Sequence, residues 1–439
     1  MLFFIFVSTH RAQAGSKDIY IPRQPERAPI VQNLARPPFL ASLTNDTDVD
    51  LQYYLTSMHI DQAWTVPRNG KAPIVAVIDD GVDTVHPDLL NQFWINTKET
   101  PSNGVDDDKN GFIDDYFAWN FLLHSDGQTF FGTHATLVAG IVAALKGNSQ
   151  GVAGINYHSR IMDLTVCDSH GLCDDAKIDK AIRYAADNGA RVINLSLAST
   201  GGGFSNDLDS AIAYARDRGV VVVAAAGNAG ENLNSTPESP VCNDLGKNAV
   251  VGVGAIDQFG AQADFSNFGS NCVDVFAPGV NIESTAAPAY AGSLYDSEDG
   301  TSFSTPIIAG IISLMVEKYT YITPSTIVNL LKNKSSNGVP NAYAFLTAAY
   351  TPPVVTSIST TSFTASALTG TRTFTITGTN FQKPMKIMLG GVDLPHTFLS
   401  STKVQVTLPL SQLQYGSYAL FVTNPDKQNS MYRLISITQ

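Results

Sequence analysis

Four polar residues stand where apolar runs begin or end, and each is of a type that can move a proton or steady a charge. Asp79 closes the run Val75-Ala76-Val77-Ile78, and a carboxylate at the buried end of a strand is costly without a partner. His134 opens Ala135-Thr136-Leu137-Val138-Ala139-Gly140-Ile141, a helical stretch apolar nearly all round, so its imidazole is carried toward the interior. Asn228 ends Val221-Val222-Val223-Ala224-Ala225-Ala226-Gly227. Ser302 lies in Gly300-Thr301-Ser302-Phe303-Ser304-Thr305-Pro306, ahead of the apolar run Ile307 to Val316. Pro306 falls where a first helical turn is expected, so a helix should start at or just after Ser302. A hydroxyl at that point lies beside unpaired N–H groups and the positive end of the dipole, where a forming oxyanion is stabilised. Singly, each residue has a plain reading: a turn aspartate, a polar residue opening a helix, a strand-ending turn, an N-cap serine. Together, a carboxylate, an imidazole, an alcohol and an amide are the parts of nucleophilic attack on a carbonyl.

The elements that must position these residues are legible in the patterning. Short β-branched runs at Pro73 to Ile78, Ile161 to Val166, Val192 to Leu197, Val220 to Ala225 and Val250 to Val253 suit strands buried on both faces. Between several of them lie helical patterns, Leu137 to Leu145, Ala176 to Ala186 and Leu208 to Arg216, with Gly189 and Gly219 where C-cap glycines belong. Strand and helix in alternation predict an α/β fold, a doubly wound parallel sheet with helices on both faces and its site at the strand C-terminal ends. Residues 15–49, with Pro22, Pro25, Pro29, Pro37 and Pro38, read as an extended arm. After Tyr350 the composition turns to Thr, Ser and Val with period-two runs such as Thr373 to Thr377 and Lys403 to Thr407. Residues 351–439 are therefore expected to form a small all-β, immunoglobulin-like sandwich.

Composition narrows the partners. The net charge is −12, from Asp+Glu 39 against Lys+Arg 27, with no long basic run. Nucleic acid and anionic membranes are disfavoured as partners. No stretch approaches the length of a membrane span. Apolar residues 2–7 followed by Ala12-Gln13-Ala14 read as a signal peptide over residues 1–14 and an extracellular destination. Four cysteines allow three pairings. Cys167 with Cys173 across a short polar loop, and Cys242 with Cys272, is the favoured arrangement; free buried thiols are the rival.

The four stretches, in the order Asp, His, Ser, resemble the subtilase family of serine peptidases over Leu51 to Ala349. Further points of likeness are His86-Pro87-Asp88-Leu89, Val192-Ile193-Asn194-Leu195-Ser196-Leu197, Phe265-Ser266-Asn267-Phe268-Gly269 and Ala277-Pro278-Gly279. The resemblance implies Ser302 as nucleophile, His134 as general base, Asp79 as its orienting carboxylate, and the Asn228 amide with the Ser302 N–H as oxyanion donors. It implies a substrate edge at Ser196, Leu197 and Ala198, and an opposite wall at Ala225, Ala226 and Gly227, with protein or peptide substrates lying between. His86, near Asp79 in sequence, is expected to be a structural turn residue. Three departures stand out: Ala135 where Gly is usual, with strain if φ there were positive; Asp80 after the catalytic Asp, as in the kexin-like branch; and Ala198 where Gly is common. The residues between Ala14 and Val49 are too few for the family's usual propeptide domain.

A second chemical stretch is Asn103 to Asp115. Asp106, Asp108 and Asn110 at alternating positions before Gly111 reproduce the first half of an EF-hand-like loop. The expected cation is structural Ca2+, held also by the Phe112 carbonyl and by Asp114 or Asp115, and several subtilases are similar in carrying such an insertion. The C-terminal part resembles IPT/TIG modules through Thr375 to Phe381, Gly390-Gly391 and Gly416 to Asp426, implying a binding or spacer role toward a cell surface, a glycan or a protein. The expectation is a secreted, calcium-stabilised serine endopeptidase. A kexin-like processing enzyme, or a non-catalytic surface-binding protein acting through its C-terminal module, are the alternatives.

Overall fold

A computed structural model describes residues 19–22, 38–126, 129–199, 203–243, 249–319, 322–333, 335–348, 353–364, 368–424, 430 and 432–439. The leader expected over residues 1–14 and the boundary at Tyr350 and Thr351 lie outside them. The chain divides into two units, Met1–Thr320 with Ile327–Thr347, and Tyr321–Thr326 with Ala348–Gln439.

The first unit contains the strands β1 (Ile19–Tyr20), β2 (Ile74–Asp79), β3 (Ala118–Asn120), β4 (Arg160–Thr165), β5 (Leu172–Cys173), β6 (Val192–Leu195), β7 (Ala198–Ser199), β8 (Val221–Ala225), β9 (Val250–Ile256) and β10 (Val275–Pro278). Seven of them form one sheet in the order β10-β9-β8-β6-β2-β4-β3. Every pairing in it is parallel. After β4 the chain crosses β2 to build β6 and the later strands on the other side. The order therefore reverses around β2, and a crevice opens where Asp79 ends that strand.

The Asp175–Asp187 and Asp207–Asp217 helices cover one face, against Ala76, Ile78, Ile193, Leu195, Val222 and Ala224. Alternate residues of the same strands point the other way and are equally buried. The His134–Ala143 and Thr301–Lys318 helices pack on each other and on the sheet. Gly189 and Gly219 take φ of 86° and 85° just past two helices, as C-cap glycines do.

Several expectations are corrected. The long helix begins at Thr301, so Pro306 sits in its second turn and not at its start. Residues 15–49 are not simply extended: they hold β1 and the Pro38–Leu43 helix, whose Leu40 is buried. Strands β3 and β10 add to the expected set. Ala135 is helical and buried and is absent from the positive-φ residues, so the strain considered for it does not arise. Cys167–Cys173 and Cys242–Cys272 are disulfides and no cysteine is free.

The second unit is all-β. One sheet joins Val354–Ile358, Thr371–Thr379, Lys403–Pro409 and His396–Ser400 in antiparallel order. The other has five strands, with Ser362–Thr364 parallel to Arg433–Thr438 at one edge. Phe374, Ile376, Val404, Val406, Leu420, Val422 and Ile435 fill its core, matching the period-two pattern.

A test of the packing lies in β9. A Cβ on Gly252 would come within 1.8 Å of the Cys272 carbonyl oxygen, and that residue is tethered to Cys242. Backbone, not a flexible side chain, must then move. Gly252→Ala is expected to lower unfolding free energy by about 1–3 kcal/mol in denaturant titrations, and an unchanged midpoint would refute the close approach.

Candidate active site

Asp79 is fully buried at the end of β2, and its two carboxylate oxygens lie 2.9 and 3.0 Å from Nδ1 of His134. The backbone N–H of Asp80 donates to the same carboxylate at 2.8 Å. His134 opens its helix and is itself buried, and its Nε2 has no hydrogen-bond partner. Burial lowers the imidazole's proton affinity, but the charge and hydrogen bond of Asp79, helped by Asp80 and Glu298, raise it further, so the net shift is upward. An imidazole held through Nδ1 by a carboxylate is in the tautomer that leaves Nε2 as acceptor.

Ser302 is the second residue of the Thr301–Lys318 helix. The ring of its neighbour Phe303 lies 5.5 Å from that of His134. The Ser302 hydroxyl donates to the Ser196 carbonyl at 3.3 Å. Pro306 has no N–H for the Ser302 carbonyl four residues back, and the Ser196 hydroxyl donates to that carbonyl at 2.7 Å instead. The helix interruption thus ties the Ser302 turn to the Ser196 edge. Asn228 follows β8, and its Oδ1 accepts from the N–H of Thr301 at 3.0 Å and from its hydroxyl at 2.8 Å. Thr301 also takes the Gly227 N–H at 3.1 Å, so one side chain clamps both residues to the helix start.

A cavity of about 170 Å³ is lined in part by Ala198, Gly227, Asn228 and Glu238, one residue from each expected wall among them; Ser196, Leu197, Ala225 and Ala226 are buried. Gly227 has φ of 100°, and a Cβ there would meet Asn267 Nδ2 at 2.5 Å, so only glycine fits. Asn267 belongs to the stretch Phe265 to Gly269. Its Oδ1 accepts from Ala229 and Glu231 N–H, and its amide donates to Ala226 and Glu238, shaping the loop that carries Asn228. Glu238, which no sequence pattern marks, is buried on the same cavity. His86 lies apart in role: its ring bonds the Leu294 carbonyl and the Asp88 N–H, a turn-holding arrangement.

In the acidic loop, carboxylate oxygens of Glu99, Asp106 and Asp108 all fall within 4.8 Å of one another. Glu99, upstream of the expected motif, was not anticipated; its Oε1 takes the Asp108 N–H while Oε2 is buried without a partner. Asn110 donates its N–H to Asp106 and Asp108 and accepts from Phe112 N–H. The structure does not bring Asp114 into this set, because its carboxylate accepts from Asn103 and Gly104. Asp115 is bonded by Asn96, Asn110 and the Tyr184 hydroxyl. The Phe112 ring packs edge-on to Trp119 and Tyr184 at 5.0 and 4.9 Å, which anchors the loop to the core.

Residues 70–349 match the model of the subtilase family, and residues 353–437 that of the IPT/TIG domain. The chain belongs to the subtilase family, whose members are serine peptidases. It is 38% identical over 268 residues to the thermophilic serine proteinase of Bacillus sp. strain AK1, covering 61% of this chain and 58% of that one. With the extracellular protease of Xanthomonas campestris it shares 33% identity over 382 residues, 78% of this chain and 64% of the other. It thus spans less than two thirds of either relative. A solved structure of proteases from Pseudoalteromonas arctica aligns with a TM-score of 0.56 at 28% identity, over 70% of this chain and 99% of that one.

Asp80 supplies a pH test. Its Oδ1 accepts the Ala135 N–H at 2.8 Å and its carbonyl takes the Phe131 N–H, joining the end of β2 to the first turn of the His134 helix. Burial first, then the charge of Asp79, pushes its carboxyl up to about 7, against the pull of His134. Between the ordinary carboxylate range and about 7 the folded chain then holds a proton that the unfolded chain has lost. The stability this gives is present at low pH and disappears as pH rises through about 7. Relative to Asp80→Asn, the wild-type chain should lose stability across that window in denaturant curves, and a constant difference would refute the shift.

Proposed function

We propose that this chain is a secreted, calcium-stabilised serine endopeptidase. Residues 50–350 form its peptidase domain, and residues 351–439 a module that binds a cell surface, a glycan or a protein. Ser302 Oγ attacks the scissile carbonyl while His134 Nε2 takes its proton and later gives it to the leaving amine. Asp79 holds the imidazole and steadies its charged form. The Asn228 amide and the Ser302 N–H receive the oxyanion. The substrate runs as an added strand between Ser196–Ala198 and Ala225–Gly227. The single observation that carries this reading is the His134 imidazole, bonded through Nδ1 to buried Asp79 with Nε2 unpartnered. The helix that carries Ser302 lies beside that imidazole, for the Phe303 ring is 5.5 Å from it. Secretion is supported by the leader pattern and by two disulfides, which persist in oxidising surroundings.

The decisive experiment is hydrolysis of a peptide library together with fluorophosphonate labelling. Wild-type chain is expected to cut and to be labelled at Ser302, and Ser302→Ala to do neither. Asn228→Ala should retain labelling but lose roughly 10²–10³ in kcat. Equal hydrolysis by Ser302→Ala would sink the assignment.

The acidic loop suits a hard cation. Glu99, Asp106 and Asp108 offer convergent carboxylate oxygens, and a cation there would give the orphaned Glu99 Oε2 a partner. Asn110 would complete one side, and the role is to brace the loop, with no part in the chemistry. Calcium titration should release or absorb heat and raise the melting temperature, and Glu99→Gln should abolish both effects. A titration with neither heat nor thermal shift would remove the site.

A further inference from the structure

The cavity beside Asn228 carries a charge that the proposed chemistry does not use. Among the described residues that line it, Glu238 alone brings a carboxylate, and it is 1% exposed. Its Oε2 accepts from Asn267 Nδ2 at 3.2 Å and lies 3.2 Å from the point where a Cβ on Gly227 would stand. The carboxylate is therefore set against the Gly227 wall. The next residue fastens the same segment to the other wall. The Ser239 N–H donates to the Ser199 hydroxyl at 2.9 Å, and the Ser199 N–H to the Ser239 carbonyl at 2.8 Å. Ser199 follows Ala198 in β7. The Cys242 N–H donates to the Glu238 carbonyl, and Cys242 is tied to Cys272. Glu238 is thus held from both sides, on a braced segment.

A charge so placed acts on its neighbours. Tyr20 lines the same cavity, and burial first, then the charges of Glu238 and Glu231, push its hydroxyl up to about 12. The field that disfavours a phenolate there favours a cation. Asn228 lines this cavity as well, so a substrate residue whose carbonyl turns to the Asn228 amide sets its own side chain near Glu238. An apolar side chain seated there would take water from the carboxylate and return no bond, and an acidic one would add a like charge. A lysine or arginine brings the opposite charge and N–H donors on a slim stem, into surroundings where low dielectric strengthens the pairing.

We propose that Glu238 is the specificity-determining residue of this site and selects a lysine or arginine as the residue whose carbonyl Ser302 attacks. The inference rests on the reading of Asn228 as oxyanion donor and of Ala198 and Gly227 as facing walls of the groove. Peptides are then cut on the carboxyl side of a basic residue. Because Asn267 and Ser239 fix the carboxylate before substrate arrives, little ordering is left to the binding step. The net charge of −12 acts in the same direction, drawing basic peptides toward the chain.

The test uses the full chain and peptides that differ only in the residue before the cut, which is Lys, Arg, Leu, Phe or Glu. Each gives a kcat/KM, and fluorophosphonate labelling counts the active serines. Wild type is expected to favour Lys or Arg over Leu and Phe by about tenfold or more, to cut the Glu peptide least, and to be inhibited competitively by benzamidine, a small amidinium. Glu238→Gln keeps the shape and removes the charge; it should lower the ratio of Lys to Leu kcat/KM by about tenfold or more, chiefly through KM, and weaken the inhibition by benzamidine. Should Glu238→Gln fail to fold, the wild-type ranking and the benzamidine competition carry the test alone. A wild type that hydrolyses without preferring Lys or Arg, or a folded Glu238→Gln that keeps the preference, would overturn this inference and leave the peptidase reading standing. Absence of hydrolysis and of labelling in wild type would instead overturn the peptidase reading beneath it.

Discussion

A carboxylate with no exposed surface has to be compensated, and much of the first unit is arranged around compensating Asp79. It stands at the end of the strand about which the sheet order reverses, so neighbours arrive from both directions in the chain. The His134 ring supplies one partner and the Asp80 N–H another. Asp80 then meets the same demand one residue on by taking the Ala135 N–H. Two adjacent acids buried side by side are tolerable only because a helix start is brought against both. That requirement fixes where the His134–Ala143 helix can lie and keeps its face closed to water.

The second constraint comes from Pro306. A proline inside a helix frees a carbonyl, and here that carbonyl belongs to Ser302 and is met by the Ser196 hydroxyl. The same two residues exchange a reverse contact, Ser302 hydroxyl to Ser196 carbonyl. Thr301 clamps Asn228 and Gly227 on the other side. The start of this helix is thus bonded to Ser196 on one side and to Gly227 and Asn228 on the other.

Much of this was legible because the decisive residues end or begin apolar runs. Asp79, Asn228 and His134 each break a pattern that the sheet and helices otherwise obey, and the α/β architecture follows from the same runs. What escaped reading is what depends on distant partners. Glu99 joins Asp106 and Asp108 only because the chain folds back, whereas a loop template looks downstream, toward Asp114. Asn267 stands in a recognisable motif, but its task of shaping the Asn228 loop lies in bonds across many residues. A first-turn rule places Pro306 at the helix start, whereas Ser196, remote in sequence, makes it tolerable in the second turn by bonding the freed Ser302 carbonyl. Strand β1 has two residues and no periodicity to detect; only its neighbours make it a strand.

Because the Thr301–Lys318 helix is buried almost from end to end and packs on β6, β8, β9 and β10, it has nowhere to dock until those strands are paired. Ser302 is therefore among the last groups to find its neighbours as the ribosome delivers the chain. On the proposed reading, a polypeptide that stops short of this helix would carry the acid and the imidazole with nothing for them to activate. On that reading the order of synthesis would withhold reactivity until the architecture able to contain it has been finished.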